Sequence, residues 1–231
     1  MPKRECPKGR ARAGSRLQIQ RQVNENPGPL NAAILASIVD GPPGGGEIWW
    51  VSPLESDDFA EYCDEQFLDA LDLGNLTREL VGSFWPRLGP CWDGLAIVTS
   101  QDDPGYHGVI LVEAKSHRDE VFGDGCGAGP ASLEMIRMAL KRTGDWLGVD
   151  GASTWDGRLY QSANRLAHLY FLRKMMGVPT WLADVYFTDD PYRPTSRAEW
   201  EAFLPSVWSE MGVRPEQVPG LCTVFVPALS E

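Results

Sequence analysis

The chain has 231 residues, 43% of them hydrophobic and 23% charged, the composition of a folded domain with a sizeable core and not of a disordered or fibrous chain. No stretch approaches the roughly 18 apolar residues needed to cross a bilayer, and the opening "MPKRECPKGRARAGSRLQIQRQ" lacks the apolar segment of a secretory signal, so a cytoplasmic protein with no membrane partner is expected. The formal net charge of −11 argues against broad electrostatic adhesion to nucleic acid.

That charge is uneven. Residues 1–21 hold seven Lys/Arg against Glu5 alone, a net +6, which leaves −17 for the remainder. The basic arm either offsets the acidic body locally or is an unstructured leader, and its composition favours a leader over 1–29 ahead of a single domain over 30–231. "LNAAILASI" (30–38) reads as a short helix and "DGPPGGG" (40–46) as a connector, since no Gly-Lys-Ser/Thr follows to make it a phosphate loop. "EIWWVSPL" is a strand. Ser52, Pro53 and Glu55 then have the form of a capping box, predicting a helix over 53–72 with Phe59, Cys63, Phe67, Ala70 and Leu71 inward and its acids in water. A second helix follows over 76–84.

"CWDGLAIVTS" (91–100) and "VILVEAKSH" (109–117) are strands of a hairpin. The Gly-rich "FGDGCGAGPAS" leads into a helix over 131–147; with no Walker lysine and no strand directly before the glycines, it is a poor nucleotide loop. The strongest helical pattern runs over 158–176, stopped by Gly177 and Pro179. A strand over 180–188, a capped helix from Ser196 interrupted or kinked by Pro205, and a strand at "LCTVFVP" complete an α/β pattern around a mixed sheet. The strand over 109–115 is apolar on both faces, which suits a central position covered on each side. Five widely spaced cysteines point to free thiols, three histidines are too few for a multi-histidine metal site, and the nine tryptophans are scattered as core residues.

The chemistry concentrates at the end of that central strand. Alternation puts Val109, Leu111, Glu113 and Lys115 on one face, so a carboxylate and an ammonium emerge together beyond an apolar wall. A charge left alone there would cost several kcal/mol, of order the ~3–5 kcal/mol of a broken buried pair. Across the hairpin, Asp93 offers a second acid. Two carboxylates from adjacent strands suit Mg²⁺, which takes one or two carboxylates plus water and phosphate, and a neighbouring lysine can steady an attacking water or a developing charge.

"WDG…VEAKS" resembles the Asp…(Asp/Glu)-x-Lys signature of the PD-(D/E)XK nuclease superfamily, with the likeness covering residues 50–190. Trp92 stands where that family usually has proline, with Pro90 close by. The resemblance implies a restriction-endonuclease-like, three-layer α/β/α fold with a central mixed β-sheet. Asp93 and Glu113 would be the ligands of Mg²⁺, with Mn²⁺ as a substitute, and Lys115 the catalytic lysine. Some members carry a glutamine on the following helix, the position of Gln161 here, with Asn164 and Arg165 next in line for substrate phosphate or packing. A first-helix glutamate is common as well; Glu61, Glu65 and Glu79 all qualify. The implied function is a metal-dependent nuclease with nucleic acid, DNA before RNA, as partner and a homodimer left open. The alternative is an inactive member of the fold serving as a binding or scaffolding module, which the acidic body favours.

Overall fold

Val109, Ile110, Leu111 and Val112 leave no polar face to turn toward water, so this strand belongs inside a sheet. In the computed structural model, which describes residues 4–230 (side chains of 75–77 and 153 excepted), it does. The five strands are β1 (Gly46–Ser52), β2 (Gly94–Ser100), β3 (Gly108–Lys115), β4 (Thr180–Thr188) and β5 (Leu221–Pro227), arranged in chain order with β3 at the centre. The first three form an antiparallel meander; β4 and β5 add parallel to β3.

Around this mixed, open sheet lie seven α-helices among the described residues: α1 (Gly14–Glu25), α2 (Pro27–Ser37), α3 (Gln66–Ala70), α4 (Gly74–Phe84), α5 (Pro130–Leu147), α6 (Tyr160–Tyr170) and α7 (Arg197–Met211). A π-helical turn, Phe171–Met175, extends α6. The pleat sorts the side chains into two cores. Ile110, Val112, Ala183 and Val185 meet Ile19, Val23, Leu30 and Ile34 of α1 and α2. Leu95, Leu111 and Leu182 face α3 to α7. No helix among the described residues is long and apolar enough to cross a membrane.

The structure departs from the sequence reading in four places. The amino-terminal segment is not an unstructured leader over its described part: α1 is folded against the sheet, with Ile19 fully buried. Its pattern is hidden because Gln18, Gln20 and Gln22 are also buried, each bonded to main chain. Gln18 Oε1 accepts from Leu229 N at 2.8 Å, Gln20 Oε1 from Ala11 N at 2.8 Å, and Gln22 Nε2 donates to Pro227 O at 3.0 Å. A glutamine that satisfies a buried backbone group is a core residue despite its polarity.

The long helix expected over 53–72 is instead a 3₁₀ turn (Glu55–Asp57), an irregular stretch and the short α3. Asp58, Phe59 and Asp64 have φ of 51°, 55° and 56°, a region in which no α-helix can continue. Ser52 ends β1 and caps nothing; Cys63 makes a β-bridge to Cys91, so tertiary pairing wins over the local capping signal. Those two cysteines are disulfide-bonded, against the expectation of free thiols; Cys6, Cys126 and Cys222 are free. Finally, Pro205 does not interrupt α7, which continues to Met211 from a start set by a Ser196–Glu199 capping box.

If α1 is part of the core, Ile19→Ala should cost ~2–5 kcal/mol, as large-to-small core substitutions do. Urea unfolding reads this directly, and a variant as stable as the parent would mean that α1 does not pack.

Candidate active site

The β2–β3 ladder pairs Gly94 with Val112 and Leu95 with Leu111. One step beyond, Asp93 stands opposite Glu113 on the face that carries Leu95 and Leu111. Where the ladder ends, the Ala114 N–H donates to Asp93 Oδ2 at 2.7 Å, which ties the acid to the strand that bears the other two charges. On the opposite side, the parallel register sets Asp184 of β4 against Glu113. The sheet thereby gathers Asp93, Glu113, Lys115 and Asp184 at one end of one face.

Glu113 is only 5% exposed, and both its oxygens are matched. Lys115 Nζ donates to Oε1, and Arg165 Nε donates to Oε2 at 2.6 Å. Arg165 is itself buried: its Nη2 donates to Cys91 O at 2.7 Å, and its guanidinium lies 4.7 Å from the centre of the Trp92 ring. Lys115 Nζ also donates to Gln161 Oε1 at 2.9 Å. Residues 161 and 165 lie one helical turn apart, so one edge of α6 reaches both cationic partners of Glu113.

The structure therefore brings together Asp93, Glu113, Lys115, Gln161 and Arg165. Arg165 is turned inward onto Glu113 and is not presented to solvent. Asn164 is not part of the cluster; its Oδ1 is buried without a hydrogen-bond partner, and its main-chain oxygen accepts from His168 Nδ1 at 2.9 Å. Of the three first-helix candidates, Glu61 is the one that feels the charges of Glu113 and Arg165, and it is ion-paired with Arg16. Glu65 borders Asp64, and Glu79 is exposed on α4. Asp184 was missed by the sequence reading, although a lone acid inside "WLADVYF" was a visible signal.

Burial and the adjacent Glu113 push the Asp93 carboxyl up to about 7, against the pull of Lys115. The same two causes raise Asp184 to about 7. Burial would also raise Glu113, but Arg165 and Lys115 overcome it and hold that carboxyl below its usual range. Burial works against the charge on Lys115, yet Glu113 and Asp93 raise its pKa and keep it protonated. His168 lies among Phe67, Trp85 and Trp92, and burial lowers it to about 4, so it is neutral at physiological pH.

Among the described residues, no group of three or more His, Cys, Asp or Glu side chains is placed to hold a metal ion. Asp93 and Glu113 offer hard oxygens on one face that could hold Mg²⁺, an ion that keeps several waters, while both Glu113 oxygens already accept from cations. The Asp93 carboxyl is raised first by burial and second by the charge of Glu113; a divalent cation beside it would favour the ionised form.

Two outcomes follow from this electrostatic arrangement. Arg165→Ala should destabilise the fold by ~3–5 kcal/mol in urea unfolding, because it strands a buried carboxylate; a loss below ~1 kcal/mol would mean that Lys115 suffices. Folded Asp184 keeps its proton to about pH 7, while an unfolded aspartate loses it near 3.8, so this residue costs stability as pH rises through that window. Asp184→Asn should gain on the parent between pH 5 and 8, with ~4 kcal/mol as the upper bound; a difference that stays flat with pH would contradict the assignment. In comparisons with known proteins, the chain matches no family model, no curated protein and no solved structure.

Proposed function

We propose that this chain is a metal-dependent nuclease of the PD-(D/E)XK type, with a restriction-endonuclease-like α/β/α fold, hydrolysing phosphodiester bonds in DNA. The observation that carries the reading is the convergence of Asp93, Glu113 and Lys115 on one face at the end of the central strand. The order of elements supports it as well: an antiparallel three-strand meander, then helices, then a strand parallel to the third.

Asp93 and Glu113 are the residues that would hold Mg²⁺ or Mn²⁺; bound there, the ion would supply Lewis-acid polarisation of the phosphodiester and a more acidic water. The remaining chemistry belongs to side chains already in place. Lys115, kept protonated by Glu113 and Asp93, orients a nucleophilic water or balances the charge that develops on the phosphate. Gln161 holds the lysine amine from the helix side. Arg165 fixes the direction of the Glu113 carboxylate through a bond that leaves the guanidinium out of solvent.

A second reading, an inactive member of the fold acting as a binding or scaffolding module, draws on the same geometry: both Glu113 oxygens already have cationic partners. Lys115→Ala separates the two. In the nuclease reading this variant, less stable than the parent because Glu113 loses one of its two cationic partners but still folded by circular dichroism, takes up Mn²⁺ in calorimetric titration and loses ~100-fold or more in cleavage of duplex DNA, as expected for loss of a group that acts on transition-state charge. Cleavage equal to the parent would sink the mechanism. A parent chain that binds no Mn²⁺ would favour the scaffold.

A further inference from the structure

The stretch 55–72 contains eight Asp/Glu and no Lys/Arg. Its Glu61 lies within electrostatic reach of Glu113, which makes this acidic stretch a poor neighbour for a polyanionic substrate. The basic segment 4–16, with five Lys/Arg and one acid, lies along it. Main-chain bonds hold it there: Gly9 N donates to Asp58 O at 2.7 Å, and Glu61 N donates to Pro7 O at 2.9 Å. Lys8 pairs with Asp57 at 3.2 Å, Arg4 with Asp64 at 3.7 Å, and Arg16 with Glu61.

The segment reaches the residues that flank the site. Ser15 Oγ donates to Glu120 Oε1 at 3.2 Å, and Glu120 Oε2 accepts from the N–H of Ser116, the residue after Lys115, at 2.6 Å. Arg4 touches Cys91 Sγ, and the Cys91 carbonyl receives Arg165. Arg12, midway along the segment, is exposed and makes no ion pair among the described residues.

We propose that this strap is the phosphate-binding rim of the site, on which the backbone of duplex DNA lies with Arg12 and Arg16 as phosphate contacts. The proposal rests on the nuclease reading above. Arg12 has no carboxylate partner among the described residues to give up, and Arg16 keeps Nε on the nearly buried Glu61 and Nη2 on the Lys8 carbonyl while its side chain stays about a third exposed, so the outer edge of its guanidinium can meet a phosphate without breaking that pair. Guanidinium forks match phosphate oxygens better than they match a single carboxylate oxygen. The strap thus places exposed cations on the acidic flank of the site, where a polyanion would approach.

The test is fluorescence anisotropy of a labelled DNA duplex with the full chain, Ca²⁺ replacing Mg²⁺, over a series of NaCl concentrations. Removing a phosphate contact reduces the slope of log Kd against log[salt] by ~0.9. Arg12→Ala and Arg16→Ala should each do so, and together reduce it by ~1.8, while Arg142→Ala, exposed on α5, should leave the slope at the parent value. Arg12 carries the test should Arg16→Ala fail to fold, which a thermal melt reveals. A parent that binds no duplex, or an Arg12→Ala variant with the parent's slope, would overturn the proposal. If the parent cleaves DNA while the slopes do not move, the strap alone is wrong. If the slopes move but no cleavage occurs, hydrolysis is wrong and the strap remains a DNA-binding surface.

Discussion

A carboxylate at 5% exposure must be protonated or matched, and Glu113 is matched twice, by Arg165 and by Lys115. The surrounding architecture serves that match. α6 must dock on the sheet at the height that brings residues 161 and 165 over the end of β3. β2 must start where the Cys91 carbonyl and the Trp92 ring can receive the other side of the guanidinium. Removing one partner of such a cluster is far costlier than the cluster's net contribution to stability. Its presence therefore specifies one docking of α6 more than it strengthens the fold.

The same cluster divides the labour among the acids. Glu113, between two cations, stays ionised; Asp93 and Asp184, on either side of it, are pushed up to about 7. Three carboxylates placed by sheet register within one patch cannot all be ionised at low cost, and the cations decide which one is. In the metal site proposed for Asp93 and Glu113, a divalent ion would change that balance in favour of ionisation.

Charge at longer range follows a similar logic. The net −11 suggests a chain repelled by nucleic acid, but the basic and acidic segments are folded on one another at the edge of the site. Opposite charges that are remote in sequence offset each other in part in space. Total charge is then a poor guide to the field at the mouth of the site.

Much of this was legible in the chain. Side-chain alternation is a fixed property of strands, so "VEAKS" alone places Glu113 and Lys115 on one face, and a hairpin brings Asp93 opposite. The 3.6-residue repeat of 158–176 places Gln161 and Arg165 on one edge. Other features were not legible, for reasons that are tertiary. Asp184 joins the site through parallel pairing with a distant strand, Glu61 through an irregular stretch held by Arg16 and the Cys63–Cys91 bridge, and α1 through glutamines whose partners lie at both ends of the chain. Local pattern determined which residues share a face, because backbone geometry repeats. Which faces meet, and which buried charges find partners, was decided only by the packed structure, because burial and pairing depend on neighbours that the sequence places far away.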